Sequence, residues 1–197
     1  MDFQRAVSDS EITVLDYEST GSLAGYANEP WQIGMVSLTG GMVNAESKFE
    51  SLLRVGSDRP FNPHAPGRHA ALRGVISAAP TPQELWPKIE PRLAGHPLCA
   101  HNVATEKKFV RAMAPMHSFG PWIDTLRISR KVWPDCPSHA LGKLIAMLGL
   151  KLRIDAFCPG AEAHDALYDA VASAMLLEHL LEQPGWGGVT IAELASL

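Results

Sequence analysis

Residues 11–21 read EITVLDYESTG, and the fold turns on this stretch. Glu11 to Tyr17 is rich in β-branched and apolar side chains and passes into polar turn material, the pattern of a buried strand with a sharp end. Asp16 and Glu18 lie two residues apart at that end, so strand alternation points both carboxylates to one face. Side by side without a cation they repel, and one tends to keep its proton. Mg²⁺ or Mn²⁺ resolves the conflict, because such hard ions take oxygen ligands and bind through a few carboxylates plus a substrate phosphate. An isolated Asp-x-Glu is more often just the start of a polar turn, here before Thr20-Gly21, so the pair needs support from elsewhere in the chain.

That support depends on what surrounds the strand. Trp31 to Thr39, the pair Gly40-Gly41 and Met42 to Leu52 read as a hairpin with a tight glycine turn. Val55 to Arg68, with three prolines and two glycines, reads as an irregular loop that borders a cleft. Thr81-Pro82-Gln83-Glu84 opens a helix that ends near Gly95: Thr81 is the cap, Pro82 the first helical residue and Glu84 the capping-box partner. Pro97 to His101 is a short strand, and Asn102 is placed to cap the next helix, with Phe109, Val110, Met113 and Met116 on its core stripe. Trp122 to Thr125 forms a last short strand and runs into a helix that stops by Pro134. Ser138 is expected to cap a helix ending at Gly149, and a long helix covers His164 to about Glu182. Strands, a hairpin, then strands alternating with helices indicate an α/β domain, a mixed sheet covered by helices.

A length of 197 residues suits a single domain spanning residues 1–197, with a core over about 11–181 and a short C-terminal extension, 184–197. Hydrophobic residues make up 46% and charged residues 19%, the balance of an ordinary soluble protein. No apolar run approaches the roughly 18 to 20 residues of a membrane span, and the opening MDFQRAVSDSE lacks the apolar core of a secretory signal. A cytoplasmic location without membrane contact is expected. Cys99, Cys136 and Cys158, odd in number and widely spaced, support neither a disulfide framework nor a zinc knuckle. The net charge of -4 argues against a long electrostatic footprint on DNA but leaves room for a small contact with a strand end. Arg127, Arg130 and Lys131 fall on one helical face and read as solvated.

Two further stretches carry chemistry, residues 100–109 (AHNVATEKKF) and 164–170 (HDALYDA). His164 and Asp169 are five residues apart, about 140° around a helix if both were helical. They approach one cleft only if His164 sits on the loop or first turn, with Asp169 as metal ligand and His164 as a mobile base. Taken singly, Asp169 is a solvated helix residue and His164 a cap-region residue.

Together, LDYESTG, AHNVATEKKF and HDALYDA resemble, in order and separation, the three exonuclease motifs of the DEDDh family, which includes the proofreading subunit of bacterial DNA polymerase III and ribonuclease T. The resemblance runs from about Glu11 to Leu181 and takes in the SHALGKLIAMLGL segment at 138–150. It implies a ribonuclease H-like fold, a central five-stranded mixed sheet flanked by helices, and a 3′-to-5′ exonuclease that releases nucleoside 5′-monophosphates. It also implies two divalent ions, Mg²⁺ or Mn²⁺, held by Asp16, Glu18, Glu106 and Asp169, with His164 as general base. Tyr17, Thr20, Leu23, His101, Asn102 and Phe109 are implied to bind or orient the terminal nucleotide.

Glu106 departs from the family's pattern, which has aspartate there. One added methylene moves the carboxylate by up to about 1.5 Å. Near-octahedral Mg²⁺ is sensitive to such a shift, so the metal preference is open, and Glu106→Asp is expected to preserve or raise activity. The simpler alternative leaves Glu106 in solvent beside Lys107 and Lys108. The implied partners are single-stranded or frayed 3′ ends; family members also form homodimers or bind a polymerase. A binding module weakened by Glu106 and a ribonuclease H-like endonuclease are the competing readings.

Overall fold

The computed structural model describes residues 4–197. Glu11–Ser19 forms β1, Pro30–Thr39 β2, Met42–Leu52 β3, Leu98–Ala100 β4 and Trp122–Asp124 β5. They build one mixed sheet in the order β3-β2-β1-β4-β5. The β1–β2 and β2–β3 pairs are antiparallel, while β1–β4 and β4–β5 are parallel. The central place of β1 explains its nearly continuous apolar run, since both its faces are covered. Ile12 and Val14 enter one core layer, Leu15 and Tyr17 the other. Gly40 and Gly41, at φ 59° and 83°, make the tight turn between β2 and β3, where two consecutive positive φ angles favour glycine.

Helices cover both faces. On the Ile12 side lies α7 (Ala166–Leu181), packed across β1, β2 and β3, with α4 (Thr125–Val132), α5 (Leu141–Met147) and α6 (Lys151–Phe157) around it. Twelve of the sixteen residues of α7 are buried, so it is wrapped by neighbours rather than resting on one apolar stripe. On the Leu15 side lie α2 (Pro82–Leu93) and α3 (Ala104–Met113). The expected capping box of α2 is present: the Thr81 hydroxyl accepts from the Glu84 N–H, and the Glu84 carboxylate accepts from the Thr81 N–H.

Several boundaries differ from the sequence expectation. Residues 69–78 form α1, for which no helix was expected. It has no capping side chain, no acid in its first turn and a glycine, Gly74, inside it, and is held by Ile76 and Leu72 packing with Trp31 and Val55. Asn102 does not cap α3. Val103 stands at the N-cap without a side-chain bond, and Asn102 takes a left-handed φ of 76°, its N–H donating to Asp124 Oδ1 at 3.0 Å. Ser138 lies too early to cap α5, whose N-cap is Ala140; its hydroxyl accepts from the Ala140 N–H at 3.3 Å. α7 begins at Ala166 rather than His164. α6 and α8 (Ile191–Ser196) were not anticipated, although the Thr190–Glu193 capping box that starts α8 is written in the sequence. The three cysteines are free, and no helix among the described residues is long and apolar enough to cross a membrane.

Candidate active site

β1 delivers Asp16 and Glu18 at its C-terminal end, on the same face as Ile12 and Val14 and therefore toward α7. Across the β1–β2 ladder Asp16 pairs with Gly34 and Glu18 with Gln32, and the register shifts just beyond, between Glu18 and Ser19. A Cβ on Gly34 would overlap the backbone of Ala166 and Leu167. The missing side chain thus allows the first turn of α7 to lie directly on β2, which brings Asp169 over the acids of β1. Gln32 fixes the contact, its Oε1 accepting from the Ala166 N–H at 3.3 Å.

His164 stands outside the helix with φ 67°, a left-handed turn that frees it from helical spacing. Its N–H donates to Asp169 Oδ2 at 3.2 Å, and its Nδ1 lies 3.9 Å from Asp169 Oδ2 and 4.0 Å from Glu18 Oε1. The neighbouring Asp165 is only 3% exposed. It occupies the N-cap of α7 yet makes no capping bond; instead its carboxylate accepts from Arg68 at 2.6 Å and from Gln32 at 3.2 Å. Arg68 ends the irregular 55–68 loop, and a Cβ on Gly67, at φ 90°, would stand 2.9 Å from the His164 carbonyl and 3.6 Å from Glu18 Oε2. The loop therefore borders the acidic cluster.

The four acids repel one another. Burial raises the Asp16 carboxyl well above the usual range, and Asp169, Glu106 and Glu18 raise it further. Burial, with Asp169 and Asp165, pushes Glu18 up to about 8. Burial, with Asp124, pushes Glu106 up to about 7. Asp169 is raised by burial to about 6, the His164 N–H and ring holding it back. Glu106 is 4% exposed, which rules out the solvated alternative, and its Oε2 has no hydrogen-bond partner among the described residues. A buried, unpartnered carboxylate oxygen close to other acids is costly unless a cation joins them. An all-oxygen acidic set suits Mg²⁺ or Mn²⁺, so the residues fit a divalent ion. Ligand atoms of Glu18, His164 and Asp169 already lie within 4.8 Å of one another.

The residues expected to meet the terminal nucleotide divide into two groups. Tyr17 and Phe109 are 6% and 2% exposed and meet edge to face at 5.4 Å. Thr20 is fully buried, its hydroxyl joined to Asn28, the Glu29 N–H and Arg59. All three side chains are buried. The two ring nitrogens of His101 are engaged by the Thr125 hydroxyl at 3.0 Å and the His139 carbonyl at 2.9 Å. Leu23, half-buried in a bridge with Tyr26, and Asn102, exposed at the end of β4, remain on the rim.

Gly34, Gln32, Arg68 and Asp165 were not singled out from sequence. An interior glycine in a strand is a recognised sign of close backbone approach, so Gly34 was findable. Arg68 and Asp165 carry no local signal, because their pairing joins residues 97 positions apart. Arg127, Arg130 and Lys131 are exposed, as expected of a solvated face.

Comparison with known proteins places this geometry. The ribonuclease T profile, described as exonuclease, matches residues 13–177. Exodeoxyribonuclease 10 of Escherichia coli K12 is 26% identical over 186 residues, covering 93% of this chain and 74% of that protein. The PolC-type DNA polymerase III of Bacillus cereus is 27% identical over 188 residues; the match covers 90% of this chain but only 12% of the polymerase. The nuclease domain of 3′hExo, a DEDDh family member solved with bound rAMP, superposes with a TM-score of 0.72 at 16% identity, over 94% of this chain and 98% of that one. Escherichia coli exonuclease I in complex with a dT13 oligonucleotide gives 0.67 at 16% identity, over 88% and 41%. The five-stranded sheet and its helices are the ribonuclease H-like fold of these nucleases.

Proposed function

The chain belongs to the ribonuclease T family of exonucleases, and from that premise we propose that it shortens DNA or RNA strands from their 3′ ends, releasing nucleoside 5′-monophosphates with two divalent ions, Mg²⁺ or Mn²⁺. One observation carries this reading: Glu18 of β1 and Asp169 of α7 bring ligand atoms within 4.8 Å of each other and of the His164 imidazole, which stands within 4.0 Å of both carboxylates. Asp16, Glu18, Glu106 and Asp169 would hold the ions, which when bound polarise the scissile phosphate and ease ionisation of water. His164 takes the proton of the attacking water, a task suited to an imidazole near neutral pH. Glu18 and Asp169, 4.0 and 3.9 Å from the same ring nitrogen, Nδ1, stabilise the imidazolium once the proton has moved. The new bond from the water oxygen to phosphorus replaces the P–O bond to the 3′ oxygen of the shortened strand, that oxygen takes a proton from solvent to become the new 3′ hydroxyl, and the phosphate departs on the 5′ side of the released nucleotide. Leu23 and Asn102 on the rim orient that terminal nucleotide.

End-labelled single-stranded DNA and RNA test the proposal in the presence of Mg²⁺ or Mn²⁺. A ladder shortening one nucleotide at a time is expected, abolished by Asp16→Ala and by a blocked 3′ hydroxyl. His164→Ala is expected to slow turnover by about 10²-fold or more while leaving ion binding in place. Binding without release would make the chain a binding module, and cleavage of a circular strand would make it an endonuclease.

A further inference from the structure

α3 turns Glu106, Phe109 and Val110 inward and leaves Lys107 and Arg111, one helical turn apart, exposed. These two cations line one side of a cleft of about 520 Å³, whose opposite side is formed by residues 115–119 and Trp122. The cleft is aromatic as well as basic. Lys107 Nζ lies 5.7 Å from the centre of the Trp122 ring, and His117 stacks on Phe119 with ring centres 5.8 Å apart and planes at 12°. Met116, expected from sequence on the core stripe of α3, lies beyond the end of that helix, is 92% exposed and stands at the edge of the cleft. Among the described residues no carboxylate lines the cleft, although the chain carries a net charge of -4; the acid paired with it is Glu90, 3.8 Å from His117 Nε2. Cations that follow a phosphate backbone beside aromatic faces that take bases are the elements of a single-strand binding groove. Lys107 directly follows Glu106, so the helix that carries one acid of the site also carries the first cation of the cleft.

We propose that this cleft docks single-stranded nucleic acid on the 5′ side of the bond being cut, with Lys107 and Arg111 on phosphates and the exposed His117 ring, backed by Phe119, offering a face to a base. The proposal deepens the exonuclease reading and rests on it for which part of the strand arrives there. The test uses the full chain and its double variant Lys107→Ala/Arg111→Ala, both exposed positions, with a fluorescein-labelled oligothymidylate of about twenty nucleotides. Binding is followed by anisotropy in EDTA across a salt series. The slope of log affinity against log salt is expected to become shallower by about 1.4 in the variant, two phosphates at about 0.7 each. With Mg²⁺, the ratio of kcat/KM for the long strand to that for a dinucleotide is expected to fall about tenfold. An unchanged slope with an unchanged ratio overturns the proposal, and so does an equal loss of affinity for a polyglutamate peptide, which would make the cleft a general anion trap. Because binding is read without turnover, a chain that released no mononucleotide would defeat the exonuclease reading and leave this measurement standing.

Discussion

Asp16 and Gly34 face each other across the β1–β2 ladder, and through that pairing a strand and a helix distant in sequence share one site. Gly34 is the floor on which the Ala166–Leu167 backbone rests. Gly34→Ala puts a methyl group into main chain that cannot rotate aside, so α7 must lift and carry Asp169 away from Asp16. A loss of about 1–3 kcal/mol in denaturant unfolding is expected, as for other overpacked contacts, together with weaker Mn²⁺ binding. Wild-type values for both would show that α7 does not depend on this contact.

Without a cation, the acids destabilise the fold as pH rises. Glu18, Glu106 and Asp169 are held near 8, 7 and 6 in the folded chain, against ordinary values of 4.5, 4.5 and 3.8. Between those limits the folded state binds more protons than the unfolded one, so this contribution to stability is complete below the ordinary values and is lost as pH climbs through the raised ones. In EDTA the Tm is expected to be higher at pH 5 than at pH 8, with a smaller difference in Glu18→Gln. Mg²⁺ or Mn²⁺ is expected to raise the Tm most at pH 8, where fewer protons must be displaced. A Tm in EDTA that rises from pH 5 to 8 by as much in Glu18→Gln as in the wild type would contradict the raised values.

The sheet was legible because its signals are local. Apolar runs, the Gly40-Gly41 turn and the Thr81–Glu84 capping box each lie within a few residues, and each formed where expected. α1 was hidden for the opposite reason: nothing within residues 69–78 announces a helix, and its stability comes from Trp31 and Val55. The acids of the site were legible through motif spacing. What keeps them in place was not, since Gln32, Arg68 and Asp165 meet only after the chain has folded. Thr20 and Phe109 show what the motif does not convey: it marks them, but not that both side chains are buried.

Glu106 is where activity and stability are expected to move in opposite directions. Its buried Oε2 has no protein partner, and its charge raises Asp16. Glu106→Gln removes that repulsion, and its amide can donate to a neighbouring carboxylate, so the metal-free protein should be more stable at pH 8. The same change should cost about a hundredfold in kcat, because a charge that holds a cation against the developing phosphorane is gone. Glu106→Asp keeps the charge and is expected to preserve or raise turnover. A large loss of turnover in that variant, measured at saturating Mn²⁺, would mean that the site is built around the longer side chain.

The Arg68–Asp165 pair should act on catalysis chiefly by holding His164 in place. A non-glycine residue at positive φ is held at a cost of about 1 kcal/mol, and the buried Asp165 beside it is tied to Arg68 and Gln32 from two other parts of the fold. Asp165→Asn loosens that tie and also removes a charge that raises Glu18 and Asp169, while all four acids keep their side chains. A fall in kcat of about ten- to a hundredfold is expected from a misplaced imidazole, with KM and Mn²⁺ affinity nearly unchanged. Arg68→Ala should reproduce the effect, and the double variant should be no worse than either single one, since both changes break the same contact. If the two losses instead multiply, Arg68 and Asp165 act separately, and the ion pair is not what holds His164 over Glu18 and Asp169.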